Sequence, residues 1–284
     1  MGGVTPPATN PRTPRPSTDR STSRRWFLGL GVVWLVALLV SGWWGLTHPS
    51  PTDREQTTVT AARPVVDEAI ARVAAAATAD GRGVVAVAGF ERVGTCDITV
   101  FREGARYRRV LVAVVPPGSE ADLLARVADA LPASYRAVVS RGDTPRLTAD
   151  AGFWVLLSGR VVAPGEVRFT ADTGDCRSAD DVDPTDPVPS VPEAATAQVL
   201  SRLGLAAGTR TTASVTCVDG GSLGTVEVRT EPYGGNLADA LADLDGTVIV
   251  RSPRLYAYRS GDIQVAVRAQ DDVTVVTVTT GCQP

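Results

Sequence analysis

The chain has 284 residues, a net charge of −3 and no lysine, so that all its basic residues are arginine. His48 is its single histidine and lies before the globular body, which therefore has no Ser-His-Asp triad, Cys-His pair or histidine-bearing zinc site. The lack of lysine likewise removes Ser-Lys dyads, Schiff bases and a P-loop, and no cofactor motif is present.

Ala, Val, Gly, Pro and Arg dominate the composition, which reads as a high-GC bacterial, actinobacterial coding bias. Charge is unevenly placed: residues 1–25 hold Arg12, Arg15, Arg20, Arg24 and Arg25 against Asp19 alone, so the remainder is acidic. A nucleic-acid binder needs its basic face on the folded part, so nucleic acid is not an expected partner.

In chain order, residues 1–25 read as a disordered basic cytoplasmic tail. From Trp26 to Leu46 no charge occurs, and Trp26, Trp43 and Trp44 stand at the ends of the run. That pattern predicts a transmembrane helix over 26–46 with the lipid bilayer as partner, the amino terminus inside by the positive-inside rule. The competing reading is a cleaved export signal, because Ser23-Arg24-Arg25-Trp26-Phe27-Leu28 resembles a twin-arginine translocation signal. No Ala-x-Ala site follows the run, and a tryptophan pair stands where small residues belong. Either reading puts the body outside the cytoplasm.

Residues 47–60 are polar, aperiodic and contain two prolines, which predicts a spacer. A first module is expected over 61–177. A helix over 64–77 has Val65, Val66, Ala69, Ile70 and Val73 on one face, and strands follow at 84–90, 97–101 and 107–115. Ser119 is placed to cap a second helix with the stripe Leu123, Leu124, Val127 and Leu131, and strands at 135–140, 153–157 and 161–170 complete the unit.

Residues 178–192 concentrate aspartate and proline and predict a hydrated linker. Asp180, Asp181, Asp183 and Asp186 lack the glycine and closing glutamate of an EF-hand loop, which argues against a Ca²⁺ site. A second module is expected over 193–284. Its first helix runs to Leu203 and stops at Gly204, strands follow near 211–218 and 225–230, and Asn236 caps a short helix. Strands at 248–251, 255–259, 263–269 and 273–279 end the chain.

The same order of signals thus occurs twice, and each copy holds one early and one late cysteine. Of three connectivities, Cys96 to Cys176 and Cys217 to Cys282 keeps the bridges within copies, and an even count suits an oxidising compartment. The expected fold class is α+β: an N-terminal transmembrane helix followed by two tandem small modules, each with two helices packed on one face of an antiparallel sheet. The sheet face without helices is then free to be solvated, to pair the modules or to bind a partner.

For function, Glu91, Asp97, Glu227 and Asp262 are the acids open to a carboxylate hydrolase, but no motif sets them apart. Arg106, Arg108 and Arg109 crowd one strand and are the candidate contacts for carboxylates or phosphates, since a guanidinium binds either in bidentate fashion. The expectation is a non-enzymatic, single-pass, disulfide-stapled binding or scaffolding protein of a bacterial cell envelope, with an envelope protein or cell-wall component as partner. An accessory or sensor subunit of a membrane complex is the alternative.

Overall fold

The computed structural model describes residues 20–47, 58–99, 102–140, 142, 144–174, 176–178 and 185–283. The basic tail up to residue 19, most of the expected spacer, and Asp180, Asp181 and Asp183 lie outside the described residues. The chain divides into two units, one containing helix α1 (Arg20–Thr47) and the other spanning Thr52–Pro284.

Two expectations about fold class are corrected. The first is the transmembrane helix: among the described residues no helix is long and apolar enough to cross a membrane. The side chains described in α1 are those of Trp26 and the run 29–44. Gly29, Gly31, Gly42 and Ser41 dilute that run, and the Ser41 hydroxyl donates to the Ala37 carbonyl within the helix.

The second correction is to the α+β balance, because the protein is mostly sheet. A seven-stranded antiparallel sheet has the order β1-β3-β7-β6-β5-β4, with β2 on the outer part of β3. Its strands are β1 (Val84–Val87), β2 (Glu91–Thr99), β3 (Arg102–Val114), β4 (Val138–Ser140), β5 (Arg146–Asp150), β6 (Leu156–Ala163) and β7 (Glu166–Asp172). A six-stranded antiparallel sheet has the order β10-β11-β12-β13-β9-β8. Its strands are β8 (Thr209–Thr216), β9 (Ser222–Thr230), β10 (Thr247–Arg251), β11 (Leu255–Ser260), β12 (Ile263–Ala269) and β13 (Thr274–Gln283).

The helices are α2 (Val59–Thr78), α3 (Glu120–Ala130), α4 (Glu193–Leu203) and α5 (Leu237–Ala240). α2 begins earlier than expected, because the Thr58 hydroxyl accepts from the Ala61 N–H at 3.1 Å and Val59 is buried. Ser119 makes no capping bond to α3. The Glu120 carboxylate instead accepts from the N–H groups of Gly118 and Gly165, tying the start of α3 to the turn before β7. The strand expected at 135–140 shortens because Arg136 adopts a left-handed φ of 47° after a 3-10 turn.

α2 and α3 cover one face of the first sheet, and their core runs on into Ala213, Val215 and Leu223 of the second. α4 and α5 cover the second sheet's far face, around Tyr256, Val265 and Val276. A third cluster joins the sheets directly through Val84, Val114, Val250, Leu255, Ala257 and Ala266.

The join is also polar. β1 is an edge strand, so its outward N–H groups need partners. Val85 donates to the Gln264 side-chain carbonyl at 2.9 Å and Val87 to the Thr225 hydroxyl at 3.0 Å. Thr225 is in turn 2.9 Å from the Thr279 hydroxyl, and Arg268 pairs with Glu166 across the sheets at 2.5 Å. The face of one sheet thereby closes the edge of the other.

Candidate functional site

Both expected disulfides are present, Cys96–Cys176 and Cys217–Cys282, with Cα separations of 5.7 and 5.8 Å. They close loops of 80 and 65 residues and mark the protein as one of an oxidising compartment.

The three arginines singled out in β3 do not share one face. Arg106 is exposed, and Arg108, on the same side, is half-buried and bonded to Glu91 at 2.5 Å. Arg109 points the other way and is fully buried. Its Nε donates to Asp67 at 2.7 Å, and its two terminal nitrogens donate to the two carboxylate oxygens of Asp186 at 2.7 and 2.8 Å. The Ala88 carbonyl takes a further N–H, and the Phe90 ring lies under the guanidinium.

Burial alone would lower the Arg109 pKa, but the bonds and charges of Asp186 and Asp67 raise it, so this guanidinium stays charged in place. Asp186, read in the sequence as part of a hydrated linker, is almost wholly buried and also accepts from Arg63 and the Ser214 N–H. Arg109 therefore holds the chain between the halves against α2 and β3. It has little left to offer a ligand.

A groove of about 650 Å³ runs between α2 and the end of β8 past Arg63, Asp67, Glu68 and Arg72. Its charges are matched internally, Arg63 with Asp186 and Arg72 with Glu68. The acids considered for hydrolysis are also occupied or scattered: Glu91 pairs with Arg108, and Glu227 with Arg229. Among the described residues no group of three or more His, Cys, Asp or Glu side chains is placed to hold a metal ion.

The outer face of the first sheet is different. Register places Arg146 of β5 directly opposite Arg160 of β6, and Arg160 directly opposite Arg168 of β7. All three are exposed. Among the described residues none of them has an ion-pair partner, whereas the neighbouring Arg108 and Arg136 both do. Directly opposed like charges destabilise a sheet, so this row is a cost that an anionic ligand would remove. At about 4.8 Å between strands the row is about 10 Å long.

Below the row, Thr170, Ser158 and Thr148 form a cross-strand line of hydroxyls, and below that lie Asp172, Leu156 and Asp150. The strand end is closed by a turn in which Gly152, Phe153 and Trp154 have φ of 84°, 49° and 62°. A left-handed φ costs a bulky residue roughly 1–2 kcal/mol. Yet Phe153 and Trp154 are 59% and 55% exposed, so core burial does not explain the conformation.

The surrounding bonds do. Asp150 accepts from Gly152 at 2.9 Å and from Arg136 at 2.8 Å, and the buried Arg177 donates to the Phe153 carbonyl. The Trp154 carbonyl lies so close to Gly174 that a Cβ there would sit 2.2 Å from it. Such over-determined strain at an exposed site is characteristic of recognition surfaces.

Sequence reading missed both features. Arg146, Arg160 and Arg168 are scattered over three strands, and only pairing register makes them neighbours. No protein-family model matches the chain, and no curated protein matches its sequence.

Proposed function

We propose that this chain is a non-enzymatic binding protein of the bacterial cell envelope, acting outside the cytoplasm. It takes the phosphate or carboxylate groups of an anionic wall polymer on Arg146, Arg160 and Arg168. The observation that carries this reading is the in-register row of three exposed arginines, which have no ion-pair partner among the described residues. Each guanidinium presents a planar fork of donors that matches either oxyanion, and three side by side favour a ligand with repeated charges over a single ion. The two disulfides support the compartment.

The test is binding of the full chain to inorganic polyphosphate, by calorimetry at low ionic strength. Replacing the three arginines together by glutamine should weaken binding at least tenfold while leaving the melting temperature unchanged or higher. Arg106→Gln, on the same face but outside the row, should have a smaller effect. Undiminished binding by the triple variant would sink the proposal.

A further inference from the structure

We infer that the ligand is an anionic glycan, its charged groups lying on the arginine row and one of its sugar rings stacking on the Phe153–Trp154 turn. This rests on the arginine row being the anion site, and adds what lies along the strands from it. From Arg160 to Leu156, where β6 begins just after the turn, is four residues, about 13 Å at 3.3 Å per residue, so a ligand reaching from row to turn spans several sugar units.

The surface between them is uncharged in its first line, where Thr148, Ser158 and Thr170 stand opposite one another, and in the next line Asp150 and Asp172 flank Leu156 with carboxylates that accept from Arg136 and from the Gly152 and Gly174 N–H groups. Hydroxyls both donate and accept, which suits sugar hydroxyls and adds nothing for a bare phosphate chain. At the far end two exposed aromatic side chains sit on a turn held by Asp150, Arg177 and the close approach of Gly174. Rigid aromatic faces bind the apolar C–H faces of pyranose rings and lose little side-chain freedom in doing so. Arginine row, hydroxyl line and aromatic turn lie in sequence along one sheet. A polyanion without rings would use only the first.

Dextran sulfate, inorganic polyphosphate and neutral dextran separate these contributions when each is titrated against the full chain. The variant is Phe153→Asn with Trp154→Asn, because asparagine tolerates left-handed φ and the turn should keep its shape. The expected result is at least fivefold weaker binding of dextran sulfate with polyphosphate binding unchanged. Weak binding of neutral dextran to the wild type should also disappear.

Trp154→Phe, which keeps a ring, should retain most of the dextran sulfate affinity, and an unchanged melting temperature controls for folding. Dextran sulfate binding untouched by the double asparagine variant would overturn the inference, as would equal losses for both polyanions. Failure of the arginine row itself is read separately, from the triple glutamine variant on polyphosphate.

Discussion

Arg109 and Asp186 are 77 residues apart in the chain and meet through two parallel hydrogen bonds of 2.7 and 2.8 Å, the guanidinium fully buried and the carboxylate nearly so. Removing one partner of a buried charge pair leaves the other charged without compensation, at a cost of roughly 3–5 kcal/mol. Asp186→Ala is expected to destabilise the protein by that order in urea unfolding. A loss below about 1 kcal/mol, the range of exposed pairs, would show that the contact is solvated.

Asp67 shares this cluster and gives it a pH signature. Burial raises its carboxyl above the ordinary 3.8, against the opposing pull of Arg109 and Arg63 and with a small further rise from Asp186. The folded chain then holds this proton more tightly than the unfolded chain does. Between the unfolded and folded values, lowering the pH favours the folded state. The stability of the wild type minus that of Asp67→Asn should therefore fall as pH rises just above 3.8 and level off beyond the folded value. Chemical unfolding across a pH series measures it, and a difference that climbs with pH over the same window would mean a lowered carboxyl.

The junction between the sheets makes a separate prediction. Gln264→Leu preserves approximate volume but leaves the buried Val85 N–H without its acceptor, for which roughly 1–3 kcal/mol is the expected loss. Amide exchange should quicken at Val85 more than at Val87, whose acceptor is Thr225. Equal protection of Val85 in variant and wild type would count against the bond.

Each disulfide closes a long loop, and the chain-entropy model gives about 4 kcal/mol for either one. Cys217→Ser with Cys282→Ser, and Cys96→Ser with Cys176→Ser, should each lower the unfolding midpoint under non-reducing conditions. Treatment of the wild type with reductant should reproduce the sum. Insensitivity to reductant would argue against an oxidising compartment as the site of folding.

Much of the body was legible from the sequence because its signals are local. Gly204 ends α4 in a left-handed conformation, with φ of 66°, as the pattern of the preceding helix predicts, and Asn236 caps α5 through its side-chain oxygen. The cysteine pairing followed from their repeated placement. What the sequence hid depends on partners distant in the chain. Phe153 and Trp154 read as the start of a strand, but Arg177 and Gly174 hold them in a turn. Arg109 reads like Arg106 until its side of β3 is known to face Asp67 and Asp186. The arginine row exists only in the register of β5, β6 and β7, and hydrophobic periodicity carries no information about exposed positions. The long uncharged run near the start misled in the other direction, since absence of charge is not the same as apolarity and glycine and serine interrupt it.

The sealing of β1 by Gln264 and Thr225 also fixes an order of events during synthesis. Chains emerge amino terminus first, and early portions ordinarily fold as they appear. Here the first sheet leaves the ribosome with an unfinished border, and the groups that complete it arrive about 140 and 180 residues later. A product truncated before Ala213 would expose both that border and the apolar side of α2 that Ala213 and Val215 normally cover. An incomplete copy would therefore present β1 as an open strand edge.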